Sequence, residues 1–126
     1  MRHSRVGIAA IVFAAMLSAV PAFAQDASKK KEAAEHFQRA VSLYNETDYN
    51  AALVEFKRAY AIAPNVNVLY NIGQAQYQLQ RYAQALETFN QYIAGGGTSH
   101  KADVEDAINI LKSRVGQLNI TIAVAG

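Results

Sequence analysis

Between residues 28 and 115 the hydrophobic positions recur every three or four residues, which is the spacing of one helix face. Asp48 can cap the second of the resulting helices, and Pro64 ends it. Glycines 95–97 end the fourth helix, and Thr98 or Ser99 can cap the fifth. The pattern therefore predicts an all-α chain with helices at about 28–46, 48–63, 67–80, 82–94 and 99–115.

The last ten residues, 117–126, have a different pattern. Leu118, Ile120, Ile122 and Val124 alternate with polar or small residues, which predicts a short β-strand. A lone strand leaves its edges unpaired. Three arrangements are open: the strand begins a β domain further along a longer protein, it pairs with a second copy of the chain, or it packs on the helices.

The first 24 residues have the layout of a secretory signal peptide. Arg2 and Arg5 precede an apolar run over residues 6–20, and small residues stand at both ends of Ala22-Phe23-Ala24. The run is shorter than the roughly 20 residues that a membrane span needs. We therefore expect cleavage after Ala24 and a periplasmic or secreted protein without a membrane span.

Composition excludes several kinds of chemistry. The chain has no cysteine, so disulfides, thiolate metal sites and cysteine nucleophiles are excluded. Loss of Arg2 and Arg5 with the signal would leave ten basic and ten acidic residues, which predicts no nucleic-acid surface. His3, His36 and His100 lie on separate elements without ligand spacing, so neither a metal site nor a cofactor is predicted. We expect a protein that is not an enzyme.

The chain also repeats itself at an offset of 33 positions. The matches fall on large aromatic and small residues, the two classes that set how closely helices approach. The fifth helix carries a related apolar face and is predicted to cap the second repeat. The matched pairs are Phe37/Tyr70, Ala40/Gly73, Tyr44/Tyr77, Tyr49/Tyr82, Ala52/Ala85, Leu53/Leu86 and Phe56/Phe89.

These residues resemble the tetratricopeptide repeat (TPR), a helix-turn-helix unit of about 34 residues. Tyr70-Asn71-Ile72-Gly73 is similar to the opening of the motif, and Asp48-Tyr49 and Arg81-Tyr82 are similar to its turn. Tyr92 departs from the motif, which prefers alanine there, and Gly97 stands where it prefers proline. The resemblance implies a right-handed superhelical array in a TPR domain over residues 25–116, with repeats at about 33–66 and 67–98 and a capping helix at about 99–115.

Two segments carry a narrower resemblance. Residues 64–73 and 114–118 are similar to secreted TPR proteins of the myxobacterial type, in which a small β domain of the PEGA type follows the repeats. This resemblance favours the first arrangement of the predicted strand, as the beginning of a β domain that follows the chain.

In the TPR family the first helix of each repeat forms a concave groove, which implies a set of partner-binding residues here. Asn71 is similar to one position of the family's carboxylate-binding site, but Phe37 and Val41 stand where that site needs lysine and asparagine. The groove is instead expected to take an apolar or extended peptide, although Phe37 and Tyr70 can equally pack between repeats. The implied residues are Phe37, Val41, Tyr44, Asn45, Tyr70, Asn71, Gln74, Tyr77 and Gln78.

The expected function is therefore that of an exported scaffold that binds a protein or peptide partner in the cell envelope. The alternative is a structural subunit, either of an envelope complex or of a homo-oligomer, assembled through the repeats and the C-terminal strand. A third reading is a non-catalytic piece of a larger enzyme or sensor.

Overall fold

A computed structural model describes residues 21–126, which form five α-helices. The all-α prediction is confirmed, and the second, third and fourth helices lie close to their predicted positions. The predicted signal segment lies largely outside the described residues, and residues 22–24 form the exposed first turn of α1. The helices are α1 (Ala22–Asn45), α2 (Tyr49–Ile62), α3 (Val66–Gln78), α4 (Tyr82–Ala94) and α5 (Lys101–Ala125).

Each helix packs mainly against the helices that precede and follow it in the chain. Three residues connect α1 to α2, α2 to α3 and α3 to α4, and six residues connect α4 to α5. Because such short connections reverse the chain, consecutive helices run in opposite directions. The side chains of Phe56, Phe89 and Tyr92 are almost completely buried between them, together with Val104 and Leu111 of α5.

The turns after α1 and α3 have the same structure. Thr47 has a φ of 64° and Gln80 a φ of 58°, so both adopt the left-handed conformation. In both turns the next amide donates to a carbonyl five positions earlier at 2.9 Å, Asp48 to Leu43 and Arg81 to Gln76. These bonds form the Schellman motif, which ends a helix. The 33-residue sequence repeat is thus also a structural repeat of these turns.

Helix starts were predicted with mixed success. Asp48 caps α2 as predicted, since its Oδ1 accepts the Ala51 amide at 3.1 Å. Asn65 caps α3 in the same way, accepting the Asn67 amide at 2.9 Å. The cap predicted at Thr98 or Ser99 is wrong, because α5 begins later, after His100. Its first turn does carry an acidic residue, Asp103, whose negative charge interacts favourably with the helix dipole.

The strand predicted over residues 117–126 is also wrong, because α5 continues to Ala125. A helix pairs its backbone groups within the segment, whereas a single strand requires a partner strand. Gly116 does not interrupt the helix, and a Cβ atom there would meet nothing within 4 Å. The alternating apolar side chains are exposed around the helix, from 52% at Leu118 to 82% at Val124.

Candidate binding cleft

A cleft of about 320 Å³ lies between α1 and α3. Its walls contain six of the nine groove residues implied by the sequence, together with Phe56 of α2. Residues three and four apart lie side by side on a helix, which places each wall on one helix face. The α1 wall consists of Val41, Tyr44 and Asn45, and the α3 wall consists of Tyr70, Asn71 and Gln74.

The other three implied groove residues lie outside this cleft. The Phe37 ring packs edge-on against the Phe56 ring, with 5.4 Å between ring centroids, and borders a second cleft. Tyr77 is half-buried, and its ring lies edge-on to Tyr82 at 5.7 Å, so it packs at the α3–α4 turn. Gln78 is exposed at the end of α3. The TPR resemblance implied these three residues as groove residues but gave no indication of these contacts.

Tyr70 lies between the cleft and the α4–α5 connection. It lines the cleft, and its ring also stacks on His100 with centroids 3.9 Å apart and planes within 9° of parallel. The Tyr92 ring lies next to it, at 6.2 Å and tilted by 53°. These contacts, with α4 and with the α4–α5 connection, fix the orientation of Tyr70. Sequence reasoning did not predict the role of His100, because no spacing pattern links it to Tyr70.

The cleft walls carry no ionisable group except the tyrosine hydroxyls. Partial burial raises the pKa of the Tyr44 hydroxyl, and a hydrogen bond with the Gln78 side chain lowers this pKa by a smaller amount. The net effect raises the pKa, so Tyr44 is neutral at physiological pH. The side-chain amide of Asn71 donates to the Asn67 carbonyl at 3.2 Å, which leaves its oxygen to accept from a ligand. The cleft therefore combines aromatic surface with neutral amides.

A second cleft, of about 450 Å³, lies where α1 meets the connection between α2 and α3. We call it the Ala59 cleft. Its lining is largely apolar, and polar side chains stand around it, which the sequence did not predict. The lining residues are Lys30, Ala33, Ala34, Phe37, Gln38, Ala59, Ala63, Pro64, Asn65, Asn67 and Val68.

Residues 21–126 contain no group of three or more histidine, aspartate or glutamate side chains placed to hold a metal ion. Within the same residues, no helix has the length and apolar character needed to cross a membrane.

In comparisons with known proteins, no family model matches this chain and no curated protein matches it. The two sequence repeats within the chain can be compared with each other. Their turns coincide in hydrogen bonding, and their tyrosine pairs coincide too: Tyr44 lies edge-on to Tyr49 at 5.0 Å, as Tyr77 does to Tyr82.

Proposed function

We propose that this chain is an exported TPR-type scaffold that binds an extended segment of a partner protein in the cleft between α1 and α3. The observation that carries the proposal is the composition of the cleft walls, where two tyrosines and three side-chain amides face one space. Tyrosine gives large contact area at little entropic cost and is frequent at interface hot spots.

Each residue of an extended peptide presents an N–H and a C=O group. The amides of Asn45, Asn71 and Gln74 can pair with these groups, while Tyr44 and Tyr70 contact the apolar side chains. Because the walls are uncharged at neutral pH, recognition depends on apolar contact and neutral hydrogen bonds. Binding is therefore expected to change little with ionic strength, unlike binding through charged pairs.

The TPR-like superhelix is part of the proposal, supported by the repeated turns and by the sequence pattern of the two repeats. Export to the periplasm or the cell exterior is supported by the signal-like residues 1–24. A binding role, rather than catalysis, is supported by the neutral character of the cleft.

Site-specific photo-crosslinking in cells tests the proposal. A photoreactive phenylalanine analogue replaces Asn45, which is exposed and lines the cleft, and in a matched control it replaces the exposed Lys57 on α2. We expect a discrete adduct with a partner protein from position 45 and none from position 57. Equal labelling from both positions, or labelling from 57 alone, would contradict groove binding.

A second candidate function, the structural subunit, is favoured by one feature of α5. Its apolar residues recur at alternating spacings of four and three, the pattern of a coiled-coil seam. The first part of this seam is buried, and the second part is exposed, with Ile122 69% exposed. We propose that another helix, from a second copy or another envelope protein, covers it in such an assembly. The seam consists of Val104, Ile108, Leu111, Val115, Leu118 and Ile122.

A further inference from the structure

Repeat two contains a buried tyrosine in a place that repeat one leaves open. Tyr92 of α4 is 0% exposed, and its hydroxyl oxygen accepts the backbone amide of His100 at 2.9 Å. Its ring lies beside Tyr70 and so close to the backbone of Gly97 that a Cβ atom there would collide with it. One large side chain therefore fills the space between α3, α4 and the start of α5.

The 33-residue offset identifies the corresponding space in repeat one. Ala59 stands where repeat two has Tyr92, so the filling side chain is missing. Tyr92 contacts Tyr70, Gly97 and His100. The residues 33 positions earlier are Phe37, Pro64 and Asn67, in the same order. All three line the Ala59 cleft, together with Ala59 itself. The Ala59 cleft is thus the tyrosine site of repeat two without its tyrosine.

We propose that the Ala59 cleft binds a phenylalanine side chain of the partner segment, so that the partner supplies the ring that repeat one lacks. The proposal deepens the proposed function and rests on it for the source of the ring. The lining suits such a ring, since Ala33, Ala34 and Ala63 are small and apolar, and Phe37 presents an aromatic face.

The hydrogen bonds of the two sites distinguish phenylalanine from tyrosine. At the Tyr92 site the His100 amide donates to the Tyr92 hydroxyl. At the Ala59 cleft the equivalent amide, that of Asn67, already donates to Asn65 Oδ1 at 2.9 Å. A tyrosine hydroxyl in the Ala59 cleft would lack the backbone donor that the Tyr92 hydroxyl has. This difference favours a phenyl ring over a phenol in the Ala59 cleft.

The Ala59 cleft and the α1–α3 cleft follow each other along α1. Phe37 lines the first, and Val41, one helical turn later, lines the second. One turn advances about 5.4 Å, close to the roughly 6.6 Å that two residues of an extended chain span. A segment with phenylalanine in the Ala59 cleft can thus place its following residues against the amides of the α1–α3 cleft.

Titration of the ¹⁵N-labelled chain with N-acetyl-phenylalaninamide, followed by amide chemical shifts, tests the site without knowledge of the partner. We expect saturable shifts at Ala33, Phe37 and Ala59 with a dissociation constant of about 1 mM, typical of so small a ligand. The tyrosine analogue should bind at least about threefold more weakly, as expected for a hydroxyl without its hydrogen bond. No saturable shifts, or equal binding of the two analogues, would overturn the proposal.

Ala59→Tyr fills the cleft with the side chain of repeat two and should abolish these shifts while circular dichroism shows an intact helical fold. Val54→Tyr, which adds the same ring at an exposed position of α2, should leave them unchanged. If Ala59→Tyr does not fold, Ala34→Phe, at an exposed residue that lines the cleft, replaces it as the blocking variant. Shifts that persist in a folded blocking variant would contradict the site.

This titration and the crosslinking at Asn45 can fail separately. Saturable phenylalanine binding without a crosslinked partner would retain the site and contradict the scaffold function. A partner at Asn45 without phenylalanine binding would retain the scaffold function and overturn the site.

Discussion

A Cβ atom on Gly73 would lie 2.5 Å from the ring of Phe89, so the backbone of α3 contacts a buried aromatic ring of α4 directly. Phe89 is 1% exposed and cannot move aside without displacing its neighbours. We therefore expect Gly73→Ala to destabilise the fold by about 1–3 kcal/mol, as overpacking does in other cores. Urea unfolding measures the change.

Gly116 provides the matched control, since it also lies in a helix but has free space around it. There the substitution by alanine removes only the entropic disadvantage of glycine and should stabilise α5 by up to about 1 kcal/mol. Equal effects of the two substitutions would contradict the close approach of α3 and α4.

The two left-handed turn residues give a second prediction. Thr47 and Gln80 adopt positive φ values that side chains with a Cβ atom disfavour, and Thr47 is β-branched. Thr47→Gly and Gln80→Gly should each raise the free energy of unfolding by about 0.5–1 kcal/mol, with the larger gain at Thr47. Thermal unfolding of the single and double variants measures this.

Gly96, which has a φ of 82° after α4, tests the same explanation in the opposite direction. Gly96→Ala should lower the free energy of unfolding by about 1 kcal/mol, although a Cβ atom there meets nothing within 4 Å. An unchanged free energy of unfolding in Gly96→Ala would contradict the claim that positive φ values determine the stability of these turns.

The contact between α1 and α2 predicts a pH dependence of stability. His36 Nδ1 lies 2.6 Å from Glu55 Oε2, and Arg39 Nη1 lies 3.2 Å from the same oxygen. The hydrogen bond from His36 lowers the pKa of Glu55, and the Arg39 charge adds to this. Since the folded-state pKa is lowered, this stabilisation is present above the ordinary carboxyl pKa and is lost as pH falls through the lowered one.

Glu55→Gln removes that carboxylate and should destabilise the fold at neutral pH by about 0.5–1 kcal/mol, a modest value because the contact is partly solvated. Its stability should also fall less steeply than that of the wild type under acid conditions. Glu105→Gln, which breaks the exposed pair with Lys101, is the control and should change the acid profile little. Unfolding curves at several pH values make the comparison.

The exposed end of the α5 seam tests the structural-subunit function. Leu118→Glu combined with Ile122→Glu should change the free energy of unfolding by only about 0.5–1 kcal/mol, because more than half of each residue is exposed. If copies assemble through the seam, light scattering will show a mass that rises with concentration in the wild type and not in the double variant. A monomer in both proteins would remove the support for self-assembly.

Local signals predicted the helices. The apolar spacing defines a helix face, Asp48 caps a helix start and Pro64 ends a helix, and each of these effects involves only residues close by in the sequence. The pattern of residues 118–124 misled, because alternation predicts a strand only where a partner strand exists, and here the backbone pairs within α5. The groove residues implied by the TPR resemblance include six that line the α1–α3 cleft. The Ala59 cleft depends on which side chain fills a space between three helices, which no local pattern shows.

A charge placed on the wall of the α1–α3 cleft tests whether a partner lies there. The crosslinker stays at Asn45, and Gln74→Lys introduces a cation on the opposite wall, while Gln84→Lys introduces the same charge at an exposed position of α4 outside this cleft. We expect the adduct to disappear with Gln74→Lys and to remain with Gln84→Lys. An adduct of equal yield in both variants would contradict binding in the cleft.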